Sequence, residues 1–479
     1  MVNYIYDIGD KMKSITPIRE EIKAKSHTPQ YRMHKYFARR PYNVFANLIT
    51  HYSKPQDIVL DVFCGGGVTV FEGVAQKRRT IGIDINPLAA FITKMQIYTD
   101  DIKSTKSVFK KFLQNVELKY GKYYSIDLDN DIGKIEWIEW TYVVICPLCK
   151  SHIPLYEMNK VRSGLYKCTN EMCSNSTGVK RTECEASHSI PTRIKYYSEI
   201  QKTKITRSLS DAEAKKIIEF ENNCKLLDGL VFPDFIIPLN LDRQLEDRLI
   251  EKGVTFYKDF FTNRNFYVLS AIFNDIIQLR GTLPESRLDE LYFLFSSSLR
   301  YTNKMTRVTN NWENGNPTAM DKHAFWLPNE YIESSVLEVL TERSQAIIKG
   351  FTYSAESITG DPKRFDDFNQ IVKSQEGYMV VNCSSTELPI PNESIDVIIT
   401  DPPYGSNVQY AELSIIWNAW YQIYAQKDNY IYRDLEAVSN RKTGYKGAKT
   451  ESDYERLLTS IFSECNRVLK SDGHLVFTF

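Results

Sequence analysis

An excess of charge of either sign is what this 479-residue chain most plainly lacks: 60 Lys and Arg stand against 60 Asp and Glu. Proteins that grip nucleic acid often carry a basic total, so the balance weighs against such a partner. It does so only mildly, because phosphate contacts need a local basic face rather than a basic sum. No apolar run reaches the ~18 residues of a membrane span, and the opening MVNYIYDIGDKMKS has no long apolar core of a secretory signal. The expectation is a protein without a membrane partner, working in the cytoplasm. Internal repeats, long low-complexity tracts, a Gly-Lys-Ser/Thr phosphate loop and a convincing paired-acid nuclease pattern are also missing from the sequence. Cysteine is sparse, with nine in all. Four of them fall in two close pairs within one short region, which points to a metal site in a reducing compartment rather than a disulfide framework.

What is present is an interrupted α/β pattern. Residues 57–98 read as strand, glycine turn, helix and strand, with IVLDVF (58–63) and TIGID (80–84) as the strands. Residues 200–345 carry long amphipathic helical patterns such as RLDELYFLFSSSLRY. The strand pattern returns with YMVVN and DVIITDPP over 378–403, then a helix over 452–470 and the strand HLVFTF. The simplest reconciliation is one α/β sheet domain in two pieces, 1–100 and 376–479. A large insertion over 101–375 separates them and holds a small cysteine module at 141–190.

The first strand runs from Asp61 through Phe63 into Gly65-Gly66-Gly67, where glycine lets the backbone turn sharply and approach a ligand. Asp84 ends the next strand, about 20 residues on, where an acid can take both hydroxyls of a ribose. This is not the dinucleotide fingerprint, because Asp61 stands at its first glycine position. There it is better placed to hold the amino-acid end of S-adenosylmethionine. The alternative is an ordinary glycine-rich turn, with Asp84 capping a helix that starts at Asn86-Pro87.

The strand DVIIT (396–400) runs into Asp401-Pro402-Pro403-Tyr404. Two prolines make a rigid exit and supply no N–H, so the local backbone offers mainly carbonyl acceptors. The Asp401 carboxylate and the Pro402 carbonyl can together accept both hydrogens of an NH2 group, and Tyr404 can stack on the base that carries it. The amine lone pair of adenine is conjugated with the ring. Two acceptors favour its pyramidal form and stabilise the charge that develops as it attacks a methyl sulfonium. Such chemistry needs neither a metal nor a covalent intermediate.

Asp61-Val-Phe63-Cys-Gly65-Gly-Gly67 together with Asp401-Pro-Pro-Tyr404 resembles the amino-methyltransferase family of DNA methylases. The motif order, glycine loop first and a long insertion before DPPY, is similar to that family's alpha group, where the insertion holds the target-recognition domain. His34-Lys-Tyr-Phe-Ala-Arg-Arg-Pro41, DPPYGSNVQYAELS (401–414), FFTNRNF (260–266) and AFWLP (324–328) resemble segments of one branch of type II-like members. The resemblance implies a Rossmann-like class I S-adenosylmethionine-dependent methyltransferase sheet, with a mostly helical insertion. It implies that Asp61, Gly65 and Gly67 line the methionine and sugar side of the cofactor and that Asp84 binds the ribose. Phe63 would pack on the cofactor or base, and Asn382 or Ser384 would stand in for an acid that reaches the cofactor adenine. Asp401, Pro402, Pro403 and Tyr404 would hold the target amine. DPPY rather than SPPY leans toward N6 of adenine. The N4-cytosine reaction, an RNA guanine-N2 methyltransferase, a protein amine methyltransferase and a non-catalytic DNA-recognition subunit are the alternatives. The setting implied is restriction–modification or phage defence in a prokaryote. A sheet of this family generally carries a further antiparallel hairpin beyond HLVFTF. Another part of the chain, a C-terminal continuation or a second subunit is expected to supply it.

Cys146-Pro-Leu-Cys149 followed by Cys168 and Cys173 has the spacing of a four-thiolate zinc site that stiffens the insertion, with Cys184 and His188 as alternative ligands. Double-stranded DNA is the expected partner. Lys35, Arg39 and Arg40, beside Tyr36 and Phe37, either touch phosphates, cover the cofactor, or form a solvated helix face. Arg441, Lys442 and Lys446 lie in a basic glycine-containing stretch, 440–449, that either clamps the backbone or is a plain surface loop. Asn407 and Gln409 are candidates for reading the flipped base or filling its place. Trp312, Trp326 and Trp417 read as core or interface residues.

Overall fold

The computed structural model describes residue 18 and residues 20–98, 100–128, 131–175, 177–226, 228–307, 317–427, 433–442, 444–445 and 447–478. The chain divides into two compact units, one made of residues up to Lys106 with Gln345–Phe479, the other of Ser107–Ser344. Among the described residues, no helix is long and apolar enough to cross a membrane.

The first unit is built on a six-stranded sheet in the order Lys363–Phe365, Gly377–Asn382, Arg79–Asp84, Ile58–Asp61, Ile395–Thr400, Leu469–Phe477, with every neighbouring pair parallel. A parallel sheet must be covered on both faces, and the pleat divides these near-continuous apolar strands between two cores. Val59, Val397 and Ile399 pack on one face with Phe45, Leu48 and Ile49 of the helix Tyr42–Tyr52 and Val70, Phe71 and Val74 of the helix Val68–Ala75. Ile58, Leu60, Ile81 and Ile398 pack on the other face with Phe368 and Ile371 of Phe368–Lys373 and with Leu457, Ile461 and Cys465 of Glu451–Val468. Ile58–Asp61 pairs with Arg79–Asp84 on one side and Ile395–Thr400 on the other. The strand order therefore reverses there, and the carboxyl ends of these three strands open a crevice suited to a ligand. Residues 345–375 join this unit and supply its outer strand Lys363–Phe365.

The second unit is a helical insertion, as expected, and adds a sheet that the sequence reading did not include. It holds the helices Asn263–Gln278 and Glu285–Ser298, the latter where the leucine and phenylalanine spacing predicts one. It also holds an antiparallel sheet in the order Glu330–Ser334, Asp131–Ile145, Glu185–Ser198, Lys204–Ser208. The long strand GKIEWIEWTYVVI has the β-branched and aromatic residues that favour strands, and a module boundary set at 141 by the cysteines cuts through it. The cysteine module is instead an excursion from the end of that ladder. Ile145 pairs with Glu185, so Cys146 and Cys184 leave and rejoin the sheet at adjacent positions.

Candidate active site

A single pocket at the crevice of the first unit gathers residues from the two distant parts of the sequence. Asp61, Phe63, Gly65 and Asp84 line it from one part, and Ser384, Asp401 and Pro403 from the other. The glycine turn is held open by its own conformation. Gly65 and Gly67 have φ of +47° and +77°, and Gly67 begins the helix Val68–Ala75. A Cβ at Gly65 would lie 2.9 Å from the Tyr36 ring, and one at Gly66 2.5 Å from Arg39 Nε, so larger residues would fill this cradle.

Of the acids at the glycine turn, Asp61 is buried and Asp84 half-buried. Asp61 Oδ1 accepts from Thr400 Oγ1 at 2.6 Å and from the Phe63 amide at 3.0 Å, yet burial still pushes its carboxyl up to about 6. Asp84 accepts from the amides of Gly65 and Asn86, each at 2.8 Å, and burial pushes it up to about 7. Asn86, not Asp84, caps the helix Pro87–Gln96. Two carboxyls at one cavity, neither of them paired with a lysine or arginine in these contacts, can receive a cationic ligand.

Arg39 supplies the opposite need. Its Nη1 donates to the carbonyls of Tyr31 and His34, but Nε and Nη2 are buried against Gly66 with no acceptor among the described residues. Burial lowers its guanidinium to about 10. Two orphaned N–H donors beside a glycine cradle fit a ligand carboxylate. The zwitterionic amino-acid end and sulfonium of S-adenosylmethionine match both features of this donor set.

Asp401 ends Ile395–Thr400 and is held on several sides. Arg40 Nε meets Oδ2 at 2.5 Å and Nη2 meets Oδ1 at 2.9 Å. The Tyr404 hydroxyl donates to Oδ1 at 2.5 Å, and the Thr478 hydroxyl donates to the same oxygen. Pro402 is buried, and the Pro403 carbonyl accepts from the Tyr454 hydroxyl at 2.7 Å.

The remaining sequence candidates fall into three groups. Arg39 and Arg40, expected at the nucleic acid, both line the pocket. Asn382 does not line it: its amide donates to the Asp84 and Ile85 carbonyls, each at 2.9 Å, and so braces the turn after Asp84, while Ser384 faces the pocket. Asn407 is exposed in the turn after Tyr404, and Gln409 is buried, donating to the Ser439 carbonyl at 2.7 Å. Arg441 and Lys442 are exposed just beyond a pinched neck, where Asn440 N donates to Lys449 O at 2.8 Å. Lys446 and Trp312 lie outside the described residues. Trp417 is fully buried, and Trp326 carries Arg307 and Lys322 over its ring. The structure adds residues that the sequence did not single out: Thr400, Thr478, Tyr410, which stacks on Tyr36 at 6.1 Å, and buried Glu436. Of these only Thr400, directly before DPPY, had a positional signal.

In the second unit Cys146, Cys149, Cys168 and Cys173 come together with all four Sγ atoms within 4.8 Å of one another. Cys146–Cys173 and Cys149–Cys168 are 3.8 Å and 3.5 Å apart. A tetrahedron with Zn–S bonds of ~2.3 Å has edges of ~3.8 Å, so the four thiols fit such an ion.

A family model described as DNA methylase, of the N6/N4 amino-group type, matches residues 10–94 and 395–479. No curated protein and no solved structure matches the chain.

Proposed function

From a chain that belongs to the amino-group DNA methyltransferase family, and so to enzymes that use S-adenosylmethionine, we propose an N6-adenine methyltransferase of double-stranded DNA. The observation that carries this reading is Asp401-Pro-Pro-Tyr404 at the end of an inner strand, with Asp401 and Pro403 lining the same pocket as the glycine turn. The parallel sheet is read as the Rossmann-like core of a class I methyltransferase. Bound S-adenosylmethionine supplies an electrophilic methyl group on a sulfonium.

The chain's own residues do the rest. Arg39 takes the cofactor carboxylate with its two unspent N–H groups, and Asp61 holds the ammonium side. Asp84 accepts the ribose hydroxyls, with Asn382 bracing its turn. The Asp401 carboxylate and the Pro402 carbonyl accept the target N–H groups and draw the nitrogen out of conjugation, while Tyr404 covers the base. Holding nitrogen and methyl in line supplies much of the acceleration. Asp401 need not be a strong base, because the amine proton becomes acidic only after the methyl has transferred.

The aspartate at the first position of the tetrapeptide supports adenine over cytosine. Arg441 and Lys442 are read as backbone contacts, and the four-cysteine cluster as a structural zinc site. The half-exposed outer strand Leu469–Phe477 is read as a place for a further strand, from the chain or from a second subunit. Restriction–modification or phage defence in a prokaryotic cytoplasm is the setting such an activity suits.

The test is incubation with methyl-labelled S-adenosylmethionine and unmethylated genomic DNA, with total RNA in parallel, followed by digestion to nucleosides and mass spectrometry. Labelled N6-methyladenine in DNA is the expected product. Labelled N4-methylcytosine changes the target base, and label confined to RNA overturns the DNA assignment. Metal analysis of the purified protein is expected to find about one zinc per chain, lost in the Cys146→Ser variant.

A further inference from the structure

The acceptor end of the pocket already holds a side chain. The Arg40 guanidinium forks onto both oxygens of Asp401, and its carbon lies 5.0 Å from the centroid of the Tyr404 ring. A guanidinium is flat and presents two N–H groups side by side. Those are the features that the reading above asks of the target: a planar group over Tyr404 that donates N–H to Asp401. We propose that Arg40 is a positioning residue that occupies the base subsite of the substrate-free enzyme as a stand-in for the target base, and that the incoming amine exchanges with it. The proposal rests on the methyl-transfer reading.

The division of contacts on Asp401 favours exchange over collapse. Oδ1 is also held by the Tyr404 and Thr478 hydroxyls, whereas among the described residues Oδ2 has Arg40 alone. Departure of Arg40 therefore opens one acceptor oxygen and leaves the other fixed. The means of departure are present too. Pro41 begins the helix Tyr42–Tyr52 and fixes the backbone behind Arg40, while the Arg40 side chain is 37 % exposed and can swing outward. While it stays, it keeps the Asp401 carboxylate paired and aimed in a pocket that would otherwise hold an uncompensated charge.

The test measures binding of neutral nucleosides, whose affinity does not depend on phosphate contacts. Labelled 2′-deoxyadenosine and 2′-deoxycytidine are equilibrated by dialysis with the full chain, saturated with S-adenosylhomocysteine, as wild type, Arg40→Ala and Arg40→Lys. Arg40→Ala is expected to bind one nucleoside about fivefold more tightly, the worth of one half-exposed charge pair. Arg40→Lys, which keeps the charge but loses the fork and the flat face, is expected to fall between. Equal or weaker binding by Arg40→Ala overturns the proposal, as does an Arg40→Ala protein that retains neither nucleoside. Should Arg40→Ala not fold, binding by Arg40→Lys no tighter than wild type overturns it. The methyl-transfer reading is judged separately, by label reaching DNA with the wild-type enzyme.

Discussion

Each unit of the molecule contains an arginine forked onto a carboxylate, and the two pairs differ in what surrounds them. In the second unit Arg264 Nε and Nη2 donate to the two oxygens of Glu333, each at 2.8 Å, while Thr262 Oγ1 and Trp140 Nε1 donate to the same two oxygens at 2.8 Å. Both side chains are 3 % exposed or less. Burial alone would raise the Glu333 carboxyl, but Arg264 and these hydrogen bonds outweigh it and hold it below the usual range. In the first unit Arg40 and Asp401 make the same fork with side chains 37 % and 18 % exposed, inside a pocket. A fully saturated and buried pair is part of the frame. A partly exposed pair, with one oxygen held among the described residues by its arginine alone, is part of a site. FFTNRNF therefore has a framing job: Thr262 caps Asn263–Gln278, Arg264 grips Glu333, and Asn265 ties the carbonyls of Thr302 and Ser334.

The largest expected effect breaks the frame. Glu333→Ala leaves Arg264 buried without its partner and is expected to lower stability by about 3–5 kcal/mol in denaturant unfolding. Replacing both residues with leucine should recover much of that loss, since the desolvation cost goes with the charges. A loss below about 1 kcal/mol for Glu333→Ala would remove the contrast. The second effect lies on the other side of the comparison. Asp401→Ala should change stability by no more than about 1 kcal/mol, while methyl transfer falls about 100- to 1000-fold at saturating substrate. An Asp401→Ala protein as unstable as Glu333→Ala would place Asp401 in the frame as well.

The third prediction sharpens the comparison through pH. Asp61 and Asp84 have folded values of about 6 and about 7, above the ordinary 3.8. Between those limits the native state keeps protons that the unfolded state releases. Their contribution to stability is therefore largest in acid and is lost as pH rises from about 4 to about 7. A cationic ligand favours the ionised forms, so its affinity should rise over the upper part of the same window. Calorimetric titration from pH 5.5 to 8 is expected to show S-adenosylmethionine gaining affinity more steeply than S-adenosylhomocysteine, which lacks the sulfonium charge. Asp84→Asn should flatten the rise. A slope that is the same for both ligands would mean that these carboxyls do not sense the sulfonium.

How much of this was legible in the sequence depends on how local each signal is. Asp61, the glycines and Asp84 belong to one strand–turn–strand unit, and DPPY is a contiguous run, so both could be read directly. That the two meet across more than 300 positions followed from the interrupted strand pattern, and the pairing of Val59 with Val397 joins them. The paired cysteines were legible for the same reason. The antiparallel sheet of the second unit is not legible in this way, because its strands pair across residues 131 to 208 and 330 to 334 and the cysteine spacing suggests a boundary inside one of them. Arg39 and Arg40 are adjacent in sequence and the same in chemistry, yet one faces the glycine turn and the other Asp401. Only the fold separates them. Glu436 carries no motif, and its role at the pocket wall depends on the turn that buries it, where Oε1 accepts from the Ala411 amide at 2.9 Å.

Thr478 gives the smallest predicted effect and the finest test of what holds Asp401. It leaves the strand Leu469–Phe477, its amide donates to the Thr400 carbonyl, and its hydroxyl reaches Asp401 Oδ1 beside that of Tyr404. Thr478→Val keeps the shape and removes only the hydroxyl. One hydrogen bond to a carboxylate that keeps two other partners is worth about 0.5–1.5 kcal/mol, so kcat should fall roughly three- to tenfold. KM for DNA and the unfolding midpoint should hardly move, because the side chain is not expected to touch DNA and its backbone contact survives. Thr478→Ser restores the hydroxyl without the methyl group and should recover most of the rate. A purely structural role would show the opposite pattern, with Val tolerated and Ser, which leaves a small void, the poorer replacement.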